Sequence, residues 1–72
     1  MKVKDAELLR KLMQSAGLTA RQASRELGWS SHSYLNRILS GQVRTVTDET
    51  AERLCALLQV PLPLLFLVEE SS

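Results

Sequence analysis

Leu18-Thr19-Ala20-Arg21-Gln22-Ala23-Ser24-Arg25-Glu26-Leu27-Gly28-Trp29-Ser30-Ser31-His32-Ser33-Tyr34-Leu35-Asn36-Arg37-Ile38-Leu39-Ser40-Gly41 reads as two short helices joined by a tight turn. Thr19 caps the first, Gln22 stands three residues on to complete a capping box, and Leu18 is placed to staple against Ala23. Ala23 and Leu27 face a core, and Gly28 supplies the positive-φ turn that a β-carbon disfavours. Ser30 or Ser31 caps the second helix, whose buried stripe is Leu35, Ile38 and Leu39 and which Gly41 closes. That helix opens on small and polar side chains. A major groove of B-DNA accepts one α-helix and is read by polar groups near its N-terminus, so the pattern is that of a helix-turn-helix. It points to double-stranded DNA binding rather than catalysis.

The flanking segments are helical as well. Leu8, Leu9, Leu12, Met13 and Ala16 recur at helical spacing before Gly17. Thr47 caps a fourth helix with Asp48 and Glu49 in its first turn, where the helix dipole favours anions. Its inner face is Ala51, Leu54, Cys55 and Leu58, and Pro61 prevents extension. A last short turn, about residues 63–66, places Leu65 and Phe66 as a lid on the core. No segment has the period of a strand. The expected fold is all-α, a compact five-helix domain over residues 5–68, with residues 1–4 and 69–72 as short flexible termini.

Length and composition agree with a single domain. Seventy-two residues lie near the lower limit for folding without metals or disulfides, and 44% hydrophobic content supports a core. One cysteine excludes an intramolecular disulfide, and one Cys with one His argue against a four-ligand zinc site. No metal or other cofactor is implied. The N-terminal residues lack the apolar core of a signal peptide, and no apolar run approaches the roughly 18 residues that span a bilayer. A cytoplasmic protein with no membrane contact follows from that pattern.

The net charge is only +1, but it is unevenly spread. Arg10, Lys11, Arg21, Arg25, Arg37 and Arg44 against Glu26 give residues 10–46 a net +5. Arg53 against Asp48, Glu49, Glu52, Glu69 and Glu70 leaves residues 47–72 at −4. The expected reading unit is therefore the basic part, and a phosphate backbone is drawn to that side.

The chain resembles the Xre/Cro-like family of phage repressors and related bacterial regulators over about residues 5–67. The resemblance rests on Gly17-Leu18-Thr19, the Leu27-Gly28 turn, Ser33-Tyr34-Leu35-Asn36-Arg37-Ile38 with Gly41, and Leu57-Leu58-Gln59-Val60-Pro61 with Leu65-Phe66. Residues 29–47 are also similar to small helix-turn-helix proteins of actinobacteria and their phages. The resemblance implies a five-helix, lambda-repressor-like DNA-binding domain. Two departures stand out. Trp29-Ser30-Ser31 is one residue longer than the family's usual step, which displaces the start of the third helix and the contact register with it. Gln59 stands where the family usually has Gly, and a left-handed residue there costs about 1 kcal/mol unless the helix ends differently.

The resemblance puts the third helix in the major groove, with His32, Ser33, Asn36 and Arg37 on the base-contacting face. Arg37 suits O6 and N7 of guanine, Asn36 suits adenine, and Ser33 either class. Thr19 and Ser31 sit at helix N-termini, where free N–H groups bind phosphate. Arg21 and Gln22 lie in the first turn of the helix that crosses the backbone in this family, and Arg44 and Thr45 resemble its second phosphate-contacting segment. Tyr34 either meets a phosphate through its hydroxyl or packs over the turn beside Trp29, whose own place is the core. Arg25 is left out of the site because Glu26 or a nearby group offers it a partner, and Cys55 is an inert buried thiol.

Catalysis finds little support, since no acid stands beside His32 to orient it and no Gly-rich phosphate loop or carboxylate pair is present. Leu62-Pro63-Leu64-Leu65-Phe66-Leu67-Val68 holds six apolar side chains in seven positions, more than one lid buries. A homodimer through Leu62, Leu64, Leu67 and Val68 is the expectation, because exposed apolar patches mark interfaces. No small-molecule ligand is implied. The leading function is a sequence-specific transcriptional regulator of the small phage-repressor or Cro-like kind. The alternatives are a DNA-binding accessory or directionality factor in recombination, and an antitoxin-like protein-interaction module.

Overall fold

The computed structural model describes residues 1–67. It contains β1 (Lys2–Val3), α1 (Ala6–Ser15), α2 (Ala20–Glu26), α3 (Ser33–Ser40), α4 (Asp48–Leu58), α5 (Leu62–Leu65) and β2 (Phe66–Leu67). The five helices and the all-α class stand as the sequence implies.

Each helix start has a local reason. Asp5 accepts the Leu8 N–H at 3.1 Å and caps α1. Thr19 and Gln22 form the full capping box: Gln22 N–H donates to Thr19 Oγ1 at 3.1 Å, and Thr19 N–H donates to Gln22 Oε1 at 3.0 Å. Thr47 caps α4 by accepting the Thr50 N–H at 3.2 Å. The ends share one device. After α1, α2 and α4 the chain closes with paired 5→2 and 6→1 bonds, seen after α2 as Gly28 N–H to Arg25 O and Trp29 N–H to Ser24 O. The same pair after α4 runs from Gln59 to Ala56 and from Val60 to Cys55. The device needs a left-handed residue. Gly28 meets it at φ 77°, whereas Gln59 adopts φ 57° and bears the strain that its side chain implies.

The core is built from Leu9 and Met13 of α1, Ala23 and Leu27 around α2, Leu35 and Ile38 of α3, and Ala51, Leu54 and Cys55 of α4. Val46 joins it from the loop before α4, and Leu65 with Phe66 closes it, as expected of the C-terminal lid. Leu39 and Leu58, expected on buried stripes, are only half-buried. Ala16, expected on the core face, is exposed, because α1 ends at Ser15 and Ala16 already belongs to the turn.

The N-terminal segment departs from expectation. Residues 1–4, read as a flexible terminus, are tied to residues 44–46 and to residues 65–67, and the strands were not anticipated. β1 pairs antiparallel with β2 in the register Lys2↔Leu67 and Val3↔Phe66. Val3 N–H donates to Arg44 O at 2.7 Å, Lys4 N–H to Leu65 O at 2.8 Å, and Val46 N–H to Met1 O at 2.8 Å. Strands of two residues are too short to show a period, and their partners lie more than 40 residues away. Residues 69–72, and Val68 of the expected interface, lie outside the described residues.

Candidate nucleic-acid interface

Burial of Leu35 and Ile38 decides which way α3 faces. With those two at 0% exposure, Ser33, Asn36, Arg37 and Ser40 fall on one exposed stripe at the i, i+3, i+4, i+7 spacing of a helix face. Ser40 Oγ turns back to donate to Arg37 O at 3.1 Å, which leaves Ser33, Asn36 and Arg37 as the projecting polar groups. Arg37 has no carboxylate partner among the described residues.

The N-cap position of α3 belongs to His32, whose side chain makes no capping bond, so neither Ser30 nor Ser31 is the helix cap that the sequence suggests. Ser31 Oγ accepts the Ser33 N–H at 3.1 Å and donates to Ser33 Oγ at 3.0 Å, so Ser31 closes the turn and steadies the Ser33 hydroxyl. Ser33 keeps its own proton free to donate. The regular bonding begins one residue later, with Asn36 N–H to His32 O at 3.0 Å, and α3 proper starts at Ser33. Half-buried His32 sits at the N-terminal end of the helix rather than on its stripe. Trp29 packs against the core, as expected, and Tyr34 meets it edge-on with ring centroids 5.2 Å apart. Tyr34 thus packs over the turn, and at 37% exposure it also remains open to solvent.

Cations flank the stripe at both ends. Arg21 and Arg25 stand one turn apart on α2 and border a groove that runs to Ser31 and His32. Arg25 is a residue the sequence reading set aside. It makes no ion pair with Glu26 or any other described carboxylate, since i, i+1 neighbours on a helix do not face each other. Its i, i+4 spacing from Arg21 was the available signal. Thr19 and Gln22 are committed to their capping box, which leaves the Thr19 hydroxyl proton and the Gln22 amide NH2 as outward donors.

Beyond the C-terminal end of α3, Arg44 is exposed while its carbonyl is bonded to Val3, and Thr45 is bridged to Lys2. Lys4 joins Arg44 around a shallow depression beside Gly41 and Val43. No local signal marks Lys4, because only the pairing of β1 carries it there. Arg53 reaches over from α4, its Nη2 lying 3.8 Å from where a Cβ on Gly28 would stand. Burial pushes the Cys55 thiol up from its ordinary pKa, which keeps it protonated and unreactive.

A capped helix, a glycine turn and a second helix with an exposed polar stripe, set in a small helical core, define a helix-turn-helix domain. The comparison with known families agrees: the helix-turn-helix domain model matches residues 6–65, and the chain belongs to that family. No curated protein and no solved structure matched the chain. No helix among the described residues is long and apolar enough to cross a membrane.

Proposed function

We propose that the chain is a sequence-specific, double-stranded-DNA-binding transcriptional regulator, a small phage-type repressor or Cro-like switch protein. The observation that carries it is the exposed stripe Ser33, Asn36 and Arg37 on α3, back to back with buried Leu35 and Ile38 and bracketed by cations from α2 and the Arg44 loop. Ser33, Asn36 and Arg37 read base edges, with His32 at the rim. Thr19, Arg21, Gln22, Ser31, Arg44 and Thr45 hold phosphates, and the Tyr34 hydroxyl is at hand for one beside its ring contact with Trp29. The role needs no enzymatic step. Its setting is the cytoplasm of a bacterial or phage-infected cell, on the nucleoid.

The test is binding of the chain to the DNA upstream of its own gene, against a scrambled duplex, at two salt concentrations. Preference for the upstream DNA that survives higher salt supports an autoregulating repressor. Arg37→Ala then removes about 1–3 kcal/mol of discrimination at one base pair. Equal, salt-sensitive binding to both duplexes shows a DNA binder whose target lies elsewhere, and absence of binding favours an antitoxin-like module.

The exposure of Leu64 and Leu67, at 40% and 49%, supports a second element of the reading. We place a homodimer contact at Leu62, Leu64, Leu67 and Val68, which pairs two recognition helices with half-sites about one DNA turn apart.

A further inference from the structure

Residues 1–4 are bonded on both edges, and that pairing carries a cation to the far end of α3. On one edge Val3 N–H donates to Arg44 O at 2.7 Å and Val46 N–H to Met1 O at 2.8 Å. On the other, Lys4 N–H donates to Leu65 O at 2.8 Å. The Arg44 loop is thereby fixed to a strand that is itself fixed to the end of α5. Lys4 is exposed, and it shares with Arg44 the rim of the depression lined by Val3, Ala6, Ile38 and Val43. At Gly41, on the same rim, an added Cβ would meet nothing within 4 Å, so the approach is open.

Neighbouring acids are engaged elsewhere. Asp5 accepts the Leu8 N–H at 3.1 Å, Glu7 lies 3.6 Å from Lys11, and Asp48 lies 3.7 Å from the Met1 amine. Neither Lys4 nor Arg44 has a carboxylate partner among the described residues. Two like charges held at one rim by backbone hydrogen bonds repel each other until an anion joins them.

We propose that β1 is part of the nucleic-acid interface: its backbone positions the Arg44 loop, and the Lys4 ammonium adds a contact to the DNA backbone beside that of Arg44. The inference rests on the DNA-binding reading and extends it to a segment outside the five helices. A lysine on a free terminus loses conformational entropy when it binds, whereas β1 fixes the Lys4 backbone before any contact is made. Val3 is a positioning residue here, because it acts through the Arg44 carbonyl.

The test measures the affinity of the full chain for the duplex upstream of its own gene across a salt series. Lys4→Gln removes one exposed charge and leaves the Lys4 backbone bond in place. It is expected to lower the salt slope by about 1 and to weaken binding severalfold at low salt, by the same factor for a scrambled duplex. Lys11→Gln, which removes the cation paired with Glu7, keeps the parent slope. Val3→Pro deletes the N–H that holds the Arg44 carbonyl. Arg44→Gln is expected to lower the slope by about 1 in the parent chain and by much less in the Val3→Pro chain, a non-additivity that marks positioning. Circular dichroism follows the fold of Val3→Pro, and Lys4→Gln decides the proposal even where Val3→Pro unfolds.

An unchanged slope in Lys4→Gln, with duplex binding intact, overturns the proposal and leaves the DNA-binding reading standing. So does a loss of thermal stability in Lys4→Gln without a change of slope, the result expected of an ammonium that serves only the C-terminal dipole of α3. Full additivity of Val3→Pro and Arg44→Gln overturns the positioning role of β1. A parent chain that binds no duplex overturns both the proposal and the reading beneath it.

Discussion

At Gln59 the backbone sits at φ 57° and ψ 45°, a conformation that costs an L-residue about 1–2 kcal/mol and a glycine almost nothing. Part of that gain is returned through the greater freedom of glycine in the unfolded chain. Gln59→Gly is expected to stabilise the fold by about 0.5–1 kcal/mol, or roughly 3–6 °C in Tm. A thermal melt with an unchanged or lower midpoint contradicts the account of that turn. Gly28 is the mirror case. The nearest atom to an added Cβ is 3.8 Å away, so space is available and only the dihedral angle resists. Gly28→Ala is expected to cost about 1–2 kcal/mol in denaturant unfolding, with the slope m unchanged. A loss far above that range would point to a clash the geometry does not contain.

At the scale of elements, α2 depends on its reciprocal cap and α3 on what α2 leaves exposed. Removing the Thr19 hydroxyl strips the Gln22 N–H of its acceptor while the helix must still begin there. Thr19→Ala is expected to lose about 1 kcal/mol of stability by chemical denaturation, and Thr19→Ser to recover most of it. Equal losses in the two variants would show that packing of the Thr19 methyl, not the cap, matters. Capping, glycine turns and apolar stripes are local properties, so helices α1 to α4 were legible in residue order alone. The start of α3 was not. Two serines offered themselves as its cap, yet the N-cap position fell to His32, and Ser31 bonds only the Ser33 turn ahead of it.

Over the whole molecule the charge is divided. Basic side chains gather around α2, α3 and the Arg44 loop, while Asp48, Glu49 and Glu52 occupy the start and first turns of α4. This division concentrates positive charge on the helix-turn-helix although the net charge is only +1. The surplus of apolar surface lies at the C-terminal end, where Leu65 and Phe66 are buried and Leu64 and Leu67 are not. Sedimentation equilibrium is expected to show a dimer that Leu64→Ser with Leu67→Ser converts to monomer while the helical circular dichroism is retained. A wild-type chain that stays monomeric at high micromolar concentration, with and without a palindromic duplex, removes the dimer.

The residue order alone specified five helical segments, the caps of α2 and α4, the glycine turn and the polar stripe of α3, because each depends on neighbours within about one or two turns. It also placed Leu65 and Phe66 on the core. Tertiary structure decided the rest. It drew residues 1–4 into a strand and brought Lys4 beside Arg44. It also left Arg25 beside Arg21 at a groove with no carboxylate partner among the described residues, and Ser24 buried in the same wall with no hydrogen-bond partner there. Those relations join residues distant in the chain or depend on how two helices pack, and no local pattern encodes contacts that exist only after the core has formed.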